Sequence, residues 1–167
     1  MRGIWLAMIL TAALSGLGCG VAAAQSPTQL WQRCRDDDSD HLIRACTTII
    51  RSGRETPDGL SRAFFNRGRA WSDKGDFARA IADFDQAIRL DPAYADAFNN
   101  RGVAYAGKGD PAHAVADFDR AVQIDPHYAI AIFNRGLAYR AMGREAEAAR
   151  DFASAKQVGP RLTPPKE

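Results

Sequence analysis

The sequence predicts an all-α protein, a solenoid of antiparallel helix hairpins with about eight helices. Three observations lead there. Asn-Arg-Gly occurs at 66–68, 100–102 and 134–136, a period of 34 residues. Aligned at that period, residues 61–94 and 95–128 share 19 of 34 positions, and residues 95–128 and 129–162 share 15. Inside each unit the apolar residues fall into two stripes at helical spacing, with a glycine between them.

The 167-residue chain is 25% charged and 46% hydrophobic, ordinary values for a soluble globular protein. A net charge of +2 does not suggest a polyanion-binding surface and argues against nucleic acid as the main partner. Residues 1–24 are expected to be a cleaved signal peptide. Arg2 is followed by an apolar run from Ile4 to about Leu17 and then by Ala22-Ala23-Ala24, the charged, apolar and small-residue regions of such a leader. The apolar run is short of the roughly 20 residues that span a bilayer, which disfavours a membrane anchor. Cleavage after Ala24 sends the protein to the periplasm or outside the cell. The alternative is a lipid anchor on Cys19, but the apolar residue before it, Leu17, stands in the wrong place for a lipoprotein signal.

Cleavage leaves two cysteines, Cys34 and Cys46. An even count in an oxidising compartment points to one disulfide, with two buried free thiols as the alternative. Residues 25–57 are expected to form a divergent N-terminal hairpin. Leu30, Trp31 and Cys34 pattern one helix, and Leu42, Ile43, Cys46, Ile49 and Ile50 a second. Asp36, Asp37, Asp38 and Ser39 make the turn between them. With one cysteine on each helix, the disulfide would staple this hairpin, a contribution of roughly 2–3 kcal/mol for so short a loop. Thr56-Pro57 reads as the start of the next helix, Thr as its cap and Pro in its first turn.

Three regular hairpins follow, at 58–94, 95–128 and 129–160. Phe64, Gly68 and Trp71 lie on one helical face, and Ala80, Phe84, Ala87 and Ile88 on a second. Gly75, Gly109 and Gly143 end the first helix of each unit, and Asp76 and Asp110 cap the second. Pro92, Pro126 and Pro160 stop that second helix. In the last unit Ile81 and Val115 are replaced by Ala149, and Ile88 and Val122 by Lys156. That loss is expected of a terminal unit facing water. Residues 161–167, with two prolines, are expected to be a disordered tail.

The unit resembles the tetratricopeptide repeat, whose period is 34 residues. The resemblance rests on the small Gly68, Gly102 and Gly136, the aromatics Trp71, Tyr105 and Tyr139, and the Ala, Phe and Pro of each unit. It departs where Phe64, Phe98 and Ile132 replace the signature Trp, and Arg67, Arg101 and Arg135 the signature Leu. It implies a right-handed α-solenoid whose first helices line a concave face, and a function in binding proteins or peptides.

No catalytic constellation, metal site or cofactor site is expected. His41, His113 and His127 stand singly, and the cysteines lack C-x-x-C spacing. DDDSD at 36–40 alternates aspartates as a calcium loop would, but lacks the glycine and the acidic twelfth position, so it reads as a turn and helix cap. The two aspartates of each ADFD, at 82–85 and 116–119, are two apart and point to different helix faces, which excludes a dyad. Instead, one packing ion pair per unit is expected: Arg67 with Asp83, Arg101 with Asp117, Arg135 with Asp151.

Asn66, Asn100 and Asn134 take equivalent places on the implied concave face. An amide offers a donor and an acceptor, which matches an extended peptide backbone, and some tetratricopeptide proteins hold peptides this way. The competing role is hydrogen bonding across the joints between units. The resemblance places Arg62, Phe65 and Arg69 around Asn66. Asn99 and Val103 flank Asn100, and Ile130, Phe133 and Leu137 flank Asn134. Such a groove is basic at one end and apolar at the other. The expected function is a non-enzymatic scaffold, monomeric, that binds a protein or extended peptide in this groove. The alternatives are a lipid-anchored assembly factor and a structural subunit packing through its convex face.

Overall fold

The computed structural model describes residues 26–36 and 38–159; the expected signal peptide, Cys19, Pro160 and the tail lie outside them. Eight α-helices and no strands occur among the described residues. They pair in sequence: α1 (Pro27–Arg33) with α2 (Ser39–Ser52), α3 (Pro57–Asp73) with α4 (Phe77–Leu90), α5 (Ala95–Gly107) with α6 (Pro111–Ile124), and α7 (Ala129–Ala141) with α8 (Glu145–Val158).

Local chemistry sets the boundaries. The carboxylates of Asp38, Asp76 and Asp110 accept the backbone N–H groups of His41, Arg79 and His113, so each caps the helix that follows. Asp38 is thus a cap in the turn, as the sequence indicates. Thr56 accepts the N–H of Gly59 at 3.1 Å, and Pro57 opens α3. Between paired helices the chain turns through Gly75, Gly109 and Gly143. Gly75 has φ 75°, a conformation that a Cβ strains.

The hairpins close because a small residue faces an aromatic one. A Cβ on Gly68 would stand 2.8 Å from the ring of Phe84, and one on Gly102 would stand 2.7 Å from Phe118. Phe84 and Phe118 are fully buried, with Ala80 and Ala87 packed in one cluster with Phe84 and Ala114 in another with Phe118. The replacements in the last unit, Ala149 and Lys156, are both exposed.

Guanidinium–carboxylate contacts tie each unit together and tie successive units to one another. Arg67, Arg101 and Arg135 each donate two hydrogen bonds to the aspartate of their own unit, at 2.6–2.8 Å. These are the expected pairs. Their remaining terminal nitrogens reach backward into the preceding unit, Arg101 to Asp85 at 2.6 Å and Arg135 to Asp119 at 2.7 Å. Arg67 meets Thr47 of α2 at 3.0 Å. Both aspartates of each ADFD therefore have a use, one within the unit and one across the joint.

The N-terminal hairpin is present. Cys34 and Cys46 form a disulfide, both cysteines fully buried with Ala45, Ile49 and Ala63. The indole N–H of Trp31 donates to Glu55 at 3.2 Å. No helix among the described residues is long and apolar enough to cross a membrane.

Candidate functional site

α3 touches α5, and α5 touches α7, whereas α4 and α6 do not touch each other, nor do α6 and α8. The first helices are thus crowded and the second helices splayed, which curves the stack with α3, α5 and α7 on its inner side. Concavities line this side. Two polar ones, of about 330 and 280 Å³, share Asn66 and Arg35. The first is completed by Trp31, Arg62 and Tyr94, the second by Leu42 and Arg69. An apolar one of about 440 Å³ lies between α5 and α7 and is lined by Val103, Ala106, Asn134, Leu137 and Ala138.

The three equivalent asparagines do three different things. Asn66 has no hydrogen-bond partner among the described residues and faces both polar cavities. Asn100 donates to the carbonyl of Asp96 in its own helix at 2.8 Å. Asn134 donates to Asn99 Oδ1 across the joint at 3.0 Å, with Asn99 only 5% exposed.

Of the other expected contacts, Arg62, Arg69, Val103 and Leu137 open onto the cavities, and Ile130 is half exposed. Three others turn into the packing. Phe65 is buried against Phe84 and Tyr94, with ring centroids 5.9 and 4.8 Å apart. Phe133 packs on Phe152 at 5.4 Å, and Asn99 is spent on the joint. The side chains of Phe65 and Asn99 hold the scaffold and leave little surface for a ligand.

The expected basic end is mixed in charge. Arg62 pairs with Asp58 at 3.2 Å, and Asp91, Asp36 and Asp73 also line the polar cavities. Tyr94, which lines the first of them, has its phenol pushed up to about 12, first by burial and then by the charge of Asp96. Sequence reasoning missed Trp31, Arg35 and Tyr94. The recurrence of Tyr94 as Tyr128, at the end of successive units, was a signal for the tyrosine. Trp31 and Arg35 belong to the divergent hairpin and have no counterpart in the repeat.

A family model described as Tetratricopeptide repeat matches residues 65–129 and again 109–161. The chain belongs to the tetratricopeptide repeat family. Solved tetratricopeptide structures share its architecture. The second such domain of Spaghetti (RPAP3), bound to the HSP90 peptide SRMEEVD, is 28% identical with a TM-score of 0.58 over 59% of this chain and 91% of its own. The Arabidopsis OM64 domain is 27% identical with a TM-score of 0.63, covering 64% and 88%. MamA, 22% identical with a TM-score of 0.60 over 80% of this chain and 86% of its own, shares the fold. No curated protein is significantly similar in sequence.

Proposed function

We propose that this tetratricopeptide repeat protein is a non-enzymatic scaffold, exported from the cytoplasm, that binds an extended peptide or protein segment along its inner face. The observation that carries the reading is the division of that face into polar cavities around Asn66, which has no hydrogen-bond partner among the described residues, and an apolar cavity at Val103 and Leu137. A peptide whose polar segment meets Asn66 and whose apolar segment meets Leu137 fits that division. The related Spaghetti domain in complex with SRMEEVD supports the class of ligand. The leader pattern of residues 1–24 supports export.

Selection from a library of short random peptides on the immobilised protein tests the groove. The expected yield combines polar and apolar residues, with the apolar preference lost in Leu137→Arg and the polar preference in Asn66→Ala. An unchanged yield in both variants overturns the groove reading and turns attention to the outer face, where a photo-crosslinker at Arg120 would report contacts. Mass spectrometry of the mature N-terminus tests export. A chain beginning at Gln25 supports cleavage, and a lipidated Cys19 replaces it with an anchored protein.

A further inference from the structure

The two joints between regular units are built alike and filled differently. At the joint of the first and second units a ring closes the slot. Phe77 opens α4 and packs against the cluster that holds Phe84 and Ala104. Its ring tip stands over Gly107 of α5, so near that a Cβ on that glycine would lie 2.5 Å from Phe77 Cζ.

Each of these positions has a counterpart 34 residues later. Phe118 and Ala138 stand for Phe84 and Ala104, Ala141 for Gly107, and Pro111 for Phe77. All four line the apolar cavity of about 440 Å³, with Val103 and Leu137. The cavity is therefore the slot that Phe77 fills one joint earlier. It is open here because Pro111, the first residue of α6, has only a small ring tied to its own backbone.

No charged residue among the described ones lines the cavity, so a charged group placed there would go unpaired and an uncharged one is favoured. An open apolar slot also forfeits contacts that a close-fitting ring supplies. The chain has no such ring to spare. No aromatic side chain is exposed among the described residues, and residues 160–167 contain no aromatic residue. Neither the described surface of a second copy nor the C-terminal segment can fill the slot with a ring.

We propose that the cavity between α5 and α7 is an anchor site for one aromatic side chain of the bound peptide, which takes the part that Phe77 plays within the chain. The inference rests on the groove reading above and names the apolar residue that such a peptide presents.

The test rebuilds the filled joint in the open one. Pro111→Phe with Ala141→Gly repeats the pair that Phe77 and Gly107 make at the preceding joint. Peptides are selected from the random library on the parent and on this double variant. The parent is expected to enrich peptides that carry an aromatic residue at one fixed position. Their recovery is expected to fall about tenfold in the double variant, with its helical circular dichroism unchanged. Val103→Arg is the second variant and decides the matter if the double variant does not fold. Val103 is 41% exposed and its counterpart is already an arginine, Arg69, so the charge reaches the rim of the cavity from a tolerant position. The same loss is expected there. Enrichment of aliphatic residues in place of aromatic ones, or equal recovery of aromatic peptides by the parent and the folded variants, overturns the inference and leaves the groove standing. Recovery of no peptide by the parent overturns the groove reading and this inference together.

Discussion

Asn134 donates its side-chain amide to Asn99, 3.0 Å away on the preceding unit and almost wholly buried. One period earlier the same pair of positions holds Asn100 and Phe65. A phenyl ring accepts no such bond, so Asn100 turns to the Asp96 carbonyl of its own helix. The residue opposite the asparagine, and not the asparagine itself, decides whether it serves the joint or turns back to its own helix.

Asn134→Ala is therefore expected to strand the buried Asn99 amide and cost about 1–3 kcal/mol of stability. Asn66→Ala is expected to change stability by no more than about 0.5 kcal/mol. Urea unfolding monitored by circular dichroism measures both. Replacing Asn99 and Asn134 together by Leu should recover most of the loss, because neither side then keeps an unpaired polar group.

The arginine contacts give a graded series. Arg101→Ala leaves Asp117, 5% exposed, as an uncompensated buried charge, and a loss of about 3–5 kcal/mol is expected. Asp85→Ala removes a half-exposed partner of the same arginine and should cost about 1 kcal/mol or less. Equal effects in chemical denaturation would show that the joint, and not the unit, depends on this arginine.

Gly102→Ala should lower stability by about 1–3 kcal/mol, because the new methyl would meet the fully buried ring of Phe118 at 2.7 Å. Adding Phe118→Leu should return part of that loss by making room. A thermal melt of the single and double variants separates this steric cost from the gain in helix propensity that alanine brings.

The helix caps set the acid limb. The Asp110 carboxyl is held below its ordinary value first by the backbone N–H of His113, and Asp76 likewise by that of Arg79. A carboxyl depressed in the folded state stabilises it fully above the unfolded value, near about 3.9, and loses that contribution as pH falls through the lower folded value. Asp76→Asn and Asp110→Asn keep a capping oxygen but cannot titrate. Stability measured against pH should fall less steeply below about pH 4 in the double variant than in the parent.

Much of the array was legible because it depends on near neighbours. The two apolar stripes, the turn glycines and the Asp and Thr caps act within a few residues of chain, and a period of 34 repeats them. The pairing of Arg67 with Asp83 was legible for a related reason, since two helices of one hairpin meet in a register that the turn imposes. The links from Arg101 to Asp85 and from Arg135 to Asp119 were not, because they depend on the packing of one hairpin against the next.

The candidate site divides along the same line. The sequence alone indicated a stack of helix hairpins and the glycine turns and aspartate caps between their helices. Only the tertiary structure decided that Phe65 and Asn99 belong to the packing, that Asn66 has no hydrogen-bond partner among the described residues, and that Trp31 and Arg35 line the polar cavities beside it. Helix periodicity is a local property that each segment carries with it. Exposure and hydrogen-bond partnership at a joint are properties of two surfaces in a particular register, and they exist only once the hairpins have stacked.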